Sequence, residues 1–178
     1  MAETRIDIGD WHLRPYRDSD LAALLKYADN PNIVRTLRDR FPHPYTAEAG
    51  QNWIATAKSE DPVASFAIAS AEELIGGVGI VPQVDVYRRS GELGYWLAEP
   101  FWGQGIATAA AKAMVDYAFA RLQLVRVYAG VFANNPASAR VLEKAGLQFE
   151  GRLRQAIFKN GELIDELLYA IVRPLLPE

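Results

Sequence analysis

Two short stretches of the chain combine residue types and spacing that could do chemistry. The first is Phe101-Trp102-Gly103-Gln104-Gly105-Ile106-Ala107-Thr108. Two glycines close a loop directly before an alanine-rich run that reads as a helix. Glycine lets the main chain turn tightly and leaves no Cβ between it and a ligand. The N–H groups of Gly103 to Thr108 would then point out of a helix N-terminus, whose partial positive charge suits a pyrophosphate. No Lys-Ser or Lys-Thr follows the glycines, so this is not a P-loop, and the third glycine of a dinucleotide fingerprint is missing. A purely structural glycine turn is the competing reading of the same residues. The second stretch is Asn135-Pro136-Ala137-Ser138. Asn135 suits a helix N-cap and Pro136 the first helical position. Asn135 and Ser138 lie three apart, so their side chains share one helix face.

Composition narrows the alternatives. The 178 residues fit one domain, residues 1–178, large enough for a full core. Half of them are apolar and 23% are charged, which is a globular composition. The net charge is −3 and no basic run exceeds two residues, so no nucleic-acid partner is expected. With no cysteine, thiolate catalysis, disulfides and Cys-based metal sites drop out. The two histidines, His12 and His43, are not at metal spacing, and no metal is expected. The charged start leads into no apolar segment, and no apolar run approaches the ~20 residues of a membrane helix. No membrane partner is expected, and the location is read as cytoplasmic.

The elements that must position these stretches follow from periodicity. A first strand spans Trp11 to Pro15. Asp18-Ser19-Asp20 caps a helix carrying Leu21, Leu24, Leu25 and Ala28, stopped by Asn30-Pro31. Thr46 opens a second helix with Trp53, Ile54 and Ala57 on one side. Val63–Ser70, Leu74–Val81 and Glu92–Leu97 read as an antiparallel meander, with a charged turn at Tyr87–Gly91. A helix follows from Gln104 to Leu122, a strand from Val125 to Phe132, and a helix from Pro136 to Ala145 capped by Gly146. Two last strands, Phe149–Phe158 and Leu163–Val172, flank Lys159-Asn160-Gly161-Glu162, and Asn-Gly is a strong hairpin signal. The order β-α-α-β-β-β-α-β-α-β-β contains one strand-helix-strand unit, hence one parallel pair in an otherwise antiparallel sheet.

Taken together, Gly94-Tyr95-Trp96-Leu97, the loop Phe101–Thr108 and Asn135-Pro136-Ala137-Ser138-Ala139-Arg140-Val141-Leu142-Glu143-Lys144-Ala145-Gly146-Leu147 resemble the GNAT acetyltransferases. The chain is most similar to the branch containing the ribosomal-protein N-terminal (Rim-type) acetyltransferases. The resemblance runs from Leu13-Arg14-Pro15 to Tyr169-Ala170. It implies an α+β fold with a mixed, mostly antiparallel, splayed sheet of about seven strands flanked by helices. It implies acetyl-CoA as acyl donor and a primary amine as acceptor, either a protein N-terminus or a small molecule. The amine would attack directly within a ternary complex. A homodimer is compatible with the resemblance. A non-catalytic acyl-CoA sensor on the same fold is the alternative function.

By the same resemblance, the pyrophosphate rests on main-chain N–H groups of Gly103, Gln104, Gly105, Ile106, Ala107 and Thr108. The pantetheine arm runs along Trp96-Leu97, where that strand splays from Val127-Tyr128-Ala129 and leaves backbone groups free. Asn135 hydrogen-bonds the arm, Ser138 protonates or stabilises the leaving thiolate, and Arg140 reaches the outer phosphates, as Lys144 could. Trp102 departs from the Arg or Gln of many family members and removes a side-chain phosphate contact. The acceptor ammonium must lose a proton before it attacks, and a carboxylate acting through water could take it. Glu92, on the strand leading to the cofactor, is the preferred base. Asp165 and Glu166 are the others, and strand alternation puts them on opposite faces. Tyr45, Trp53, Tyr95, Trp96 and Phe158 are candidate walls of the acceptor cleft.

Overall fold

The computed structural model describes residues 4–173. The fold is mixed α+β, with a mostly antiparallel sheet of eight strands and flanking helices among the described residues. The chain divides into two compact units. The first holds residues up to Gly79 together with Tyr95–Ala110, and the second holds Ile80–Gly94 and the chain from Ala111 onward. No helix among the described residues is long and apolar enough to cross a membrane.

The first unit opens with a hairpin of β1 (Ile6–Ile8) and β2 (Trp11–Arg14), turned at Gly9 with φ 82°. Three residues are too few to show a period, which is why β1 is silent in the sequence. Helix α1 (Leu21–Tyr27) is preceded by a 3₁₀ turn at Asp18–Asp20. Asp20 makes no side-chain cap bond to α1, contrary to the capping role expected of it; its carboxylate is engaged upstream. It accepts the Arg17 N–H at 2.8 Å and two bonds from the buried Arg14 guanidinium at 2.6 and 2.8 Å. Both side chains are nearly inaccessible, so this bidentate pair ties β2 to the start of α1.

Asn30-Pro31, read above as a helix stop, also starts a helix. Asn30 Oδ1 accepts the Asn32 N–H at 2.8 Å, and Pro31 takes the first position of α2 (Pro31–Val34). Helix α3 (Ala47–Lys58) is capped by Thr46, which accepts from Ala49 N at 3.2 Å. Strands β3 (Ser65–Ala69) and β4 (Leu74–Pro82) pair antiparallel, and β2 pairs β3 in the same sense. Leu13, Leu24, Ile54, Phe66, Ile68 and Leu74 form the fully shielded heart of this unit.

In the second unit, Gln83 N–H donates to Ser90 O at 2.9 Å where β4 leads into β5 (Ser90–Leu97). After α4 (Ile106–Arg121), β6 (Arg126–Phe132) returns parallel to β5, pairing Ser90, Gly91 and Glu92 with Arg126, Val127 and Tyr128. This is the parallel pair that the strand-helix-strand order requires. Helix α5 (Pro136–Lys144) leads to a long hairpin of β7 (Gln148–Lys159) and β8 (Glu162–Val172). Its turn has φ 53° at Asn160 and 83° at Gly161, the left-handed pair that Asn-Gly favours. Strand β8 then inserts antiparallel against β6 over seven residue pairs.

Burial alternates along β6 up to Val131 and breaks at Phe132, which is also buried. Val127, Ala129 and Val131 are buried, while Arg126, Tyr128 and Gly130 are half-exposed. On β8 the buried side is marked by Tyr169, whose hydroxyl donates to Glu143 Oε1 of α5 at 3.1 Å. One face of this strand group is therefore roofed by α5 and the other is not.

Replacing Asp20 by Ala strands the Arg14 guanidinium in the core. Urea unfolding is expected to show a loss of about 3–5 kcal/mol, the usual cost of breaking a buried pair from one side. A loss below about 1 kcal/mol would contradict the role given to this pair.

Candidate functional site

The end of β5 is built onto β4 by glycine. A Cβ on Gly76 would lie 2.5 Å from Trp96 O and 3.1 Å from Leu97 Cα, and one on Gly77 would lie 2.8 Å from Trp96 Nε1. The Trp96 indole thus lies across bare backbone. Phe41 meets it edge-on at 5.7 Å between centroids, and Tyr16 and Tyr45 belong to the same cluster. Burial pushes the Tyr45 hydroxyl up to about 12 and the Tyr16 hydroxyl higher still. Both remain neutral phenols near pH 7 and are poor proton donors. The Trp96 side chain is thus partly packed into this cluster and remains half-exposed.

Beyond Leu97 the chain is held at four points. Ala98 N–H donates to Ile75 O at 2.8 Å. A 3₁₀ turn covers Glu99–Phe101. Glu99 accepts from Asn30 Nδ2 at 2.6 Å and Asn32 Nδ2 at 3.1 Å, which holds its carboxyl below the usual range. Phe101 packs edge-on against Tyr27 at 6.0 Å. The fourth hold is Trp102, whose indole N–H donates to Leu97 O at 2.7 Å. The tryptophan that removes a side-chain phosphate contact thus has a structural task, closing the loop on the strand that precedes it. Neither this clamp nor the Asn30–Glu99–Asn32 contact is readable from spacing.

The turn itself is open. Gly103 and Gly105 have φ of 76° and 79°, and a Cβ on either would meet nothing within 4 Å. Glycine is required here by backbone conformation, and the space in front of it is free. The first α4 bond joins Ala109 N–H to Gly105 O at 3.0 Å. The N–H groups of Ile106, Ala107 and Thr108 lie in the first turn, where no earlier helix carbonyl exists to accept them. Gln104 points its amide back to Pro100 O at 3.4 Å, a weak contact. A row of N–H groups without intrahelical acceptors at a helix N-terminus fits a pyrophosphate by donor chemistry and by dipole.

The remaining residues lie in the second unit. Asn135 is the N-cap of α5, and its Oδ1 accepts the Ser138 N–H at 3.2 Å. Its Nδ2 is not used in that bond. Ser138 is half-buried on the first turn, and Arg140 and Lys144 are exposed. Glu92 is half-buried on β5 beside its register neighbour Tyr128. Asp165 is committed elsewhere. It accepts Gln155 N–H at 2.8 Å and Arg152 Nε at 2.5 Å, and these bonds hold its carboxyl below the usual range. Gln155 sits in a β7 irregularity with φ 51°, so Asp165 is the fastener of a bulge. Glu166 points to the other side, as alternation requires, and lies across Gly130. Of the aromatic wall candidates, Trp53 meets Tyr16 edge-on and Phe158 is 69% exposed.

With this geometry in place, the comparison with known proteins decides the family. The acetyltransferase (GNAT) domain family matches residues 11–148. The chain belongs to the GNAT acetyltransferases. It is 41% identical over 103 residues to the uncharacterized N-acetyltransferase YoaA of Bacillus subtilis, covering 58% of each protein. It is 34% identical over 105 residues to the ribosomal-protein-serine acetyltransferase of Escherichia coli, covering 59% of this chain and 58% of that protein. The aligned part thus spans about three-fifths of these curated relatives. Among solved structures, Mycobacterium smegmatis RimJ in complex with CoA-disulfide superposes with a TM-score of 0.79 at 29% identity, covering 99% of this chain and 88% of that one. RimL, the ribosomal L7/L12 α-N-protein acetyltransferase, in complex with coenzyme A, shares the fold with a TM-score of 0.82 at 23% identity, covering 95% and 98%.

Two outcomes follow for this GNAT chain. Gly105→Val forces a β-branched residue into the left-handed region and is expected to abolish stabilisation by coenzyme A in a thermal-shift titration, whereas Gln104→Ala should keep it. The bonds on Asp165 depress its folded-state pKa. Its contribution is therefore present above the unfolded carboxyl value of about 3.9 and lost as pH falls through the depressed one. The stability gap between wild type and Asp165→Asn should accordingly shrink as pH falls from about 5 through the depressed value in urea unfolding.

Proposed function

We propose that this chain is an N-acetyltransferase that moves an acetyl group from acetyl-CoA to a primary amine. The observation that carries the reading is the open row of main-chain N–H groups from Gly103 to Thr108. The whole chain acts as one domain in this reading, consistent with a family match that runs through both units. The name of the Escherichia coli relative, a ribosomal-protein-serine acetyltransferase, favours a protein N-terminus as acceptor, and the chain is read as acting in the cytoplasm.

Acetyl-CoA supplies a thioester, whose acyl carbon the amine attacks while the C–S bond breaks. The backbone of Trp96 and Leu97 takes the pantetheine arm, and residues 103–108 take the pyrophosphate, with Arg140 toward the outer phosphates. Leu97 O already accepts from Trp102, so its second lone pair is the one left for a ligand. Asn135, whose Oδ1 is engaged in the cap, offers its Nδ2 to the arm. Ser138 donates a hydrogen bond to the departing thiolate and returns a proton to it. Glu92 takes the proton that the ammonium must lose, through a water molecule. One N–C bond forms and one C–S bond breaks; the ammonium nitrogen gives up two protons in all, one released to solvent and one balancing the proton that sulfur gains.

Thiol release measured against a panel of N-terminal peptides and small amines tests the reading. Ser138→Ala is expected to lower kcat by at least about 10²-fold while coenzyme A binding is retained. A protein that binds coenzyme A but releases no thiol with any amine is the acyl-CoA sensor and not the enzyme.

A further inference from the structure

We propose that Glu166 is the carboxylate that holds the acceptor's ammonium, and that Gly130 exists to let it lie where it does. The inference rests on the reading of the chain as an amine acetyltransferase. Strands β5, β6 and β8 of the second unit share one face on which Glu92, Tyr128, Gly130 and Glu166 are half-exposed, while Phe132 and Ala170 are buried. The register puts Glu92 beside Tyr128, Tyr128 beside Ala170, and Gly130 beside Leu168, all on that side. Glu166 pairs with Phe132, two residues beyond Gly130, and so shares the face.

Its side chain folds back along the sheet. A Cβ on Gly130 would sit 2.7 Å from the Glu166 carboxyl carbon and 3.2 Å from its Cγ, closer than any Cβ is tolerated or nearly so. No other residue type leaves room for a glutamate lying flat on the strand. Gly130 has no turn to make and no positive φ, so close approach is what the position demands. Among the described residues the Glu166 carboxylate takes part in no hydrogen bond or ion pair. Its neighbour Asp165 holds a bulge through two bonds, and Glu150 is paired with Arg126. A half-buried carboxylate that binds nothing in its own fold is suited to bind an ammonium supplied from outside.

The spacing suits that role. Strand spacing of about 4.8 Å and a rise of about 3.3 Å per residue put the Cα atoms of Glu92 and Gly130 roughly 8 Å apart. The Glu166 carboxylate, lying over Gly130, is thus on the same face as Glu92, two positions along β6 from its register neighbour Tyr128. In this arrangement Glu166 anchors the cationic acceptor and Glu92 takes the proton. The substrate class is therefore an acceptor that arrives protonated, and neutral amines of low basicity should be poor substrates.

Steady-state kinetics with coenzyme A binding followed in parallel test this. Glu166→Gln should raise the amine KM by about 10- to 100-fold, with a smaller change in kcat and unchanged stabilisation by coenzyme A. Gly130→Ala pushes only the flexible end of Glu166 aside, so it should fold and raise the amine KM in the same direction. In the Glu166→Gln background Gly130→Ala should cost little more, since both changes act through one contact. A Glu166→Gln enzyme whose amine KM stays within twofold of wild type overturns the inference and leaves the proposed activity standing. So does strict additivity of the two substitutions. A wild-type protein that releases thiol with no amine overturns both.

Discussion

The site hangs on a constraint of backbone conformation. Gly103 and Gly105 both take the left-handed region, immediately before the first turn of α4, whose N–H groups have no intrahelical acceptor. A single L-residue in that conformation costs about 1–2 kcal/mol, and a β-branched one more. The cost of holding the loop is offset nearby. Trp102 ties it to Leu97 O, Glu99 to two asparagines, and Phe101 to Tyr27. The amides are thus ordered before any ligand arrives, which is what preorganised recognition of a phosphate requires.

A second theme is the use of glycine to admit flat side chains. Gly76 and Gly77 let the Trp96 indole and main chain lie on β4. Gly130 does the same for Glu166. Neither group of glycines makes a turn, and in a strand a glycine weakens the element unless something must approach the backbone. One of the two approaches is apolar and settles packing. The other brings a charge to a half-exposed surface.

Much of the architecture was legible in the sequence because its signals are local. Asn160-Gly161 announced the last hairpin, Asn135-Pro136 the start of α5, and the strand-helix-strand order the parallel β5–β6 pair. The Gly-x-Gly turn was legible, but only the neighbouring Gly94–Leu97 and Asn135–Ser138 stretches set it apart from an ordinary turn. What escaped was either too short or non-local. Strand β1 has three residues and no period to read, and α2 has four. The Trp102–Leu97 bond, the Asn30–Glu99 contact and the commitment of Asp165 to a bulge each depend on where the chain folds back. Alternation placed Asp165 and Glu166 on opposite faces without telling which one was already occupied.

The central claim is that main-chain amides, and not side chains, hold the coenzyme A pyrophosphate. Amide NMR on ¹⁵N-labelled protein reads it directly, since Gly103 and Gly105 give distinctive resonances. Coenzyme A should shift the amides of Gly103, Gly105, Ile106, Ala107 and Thr108, and pantetheine, which lacks the pyrophosphate, should leave them in place. Coenzyme A binding that leaves those five amides unmoved would contradict the account.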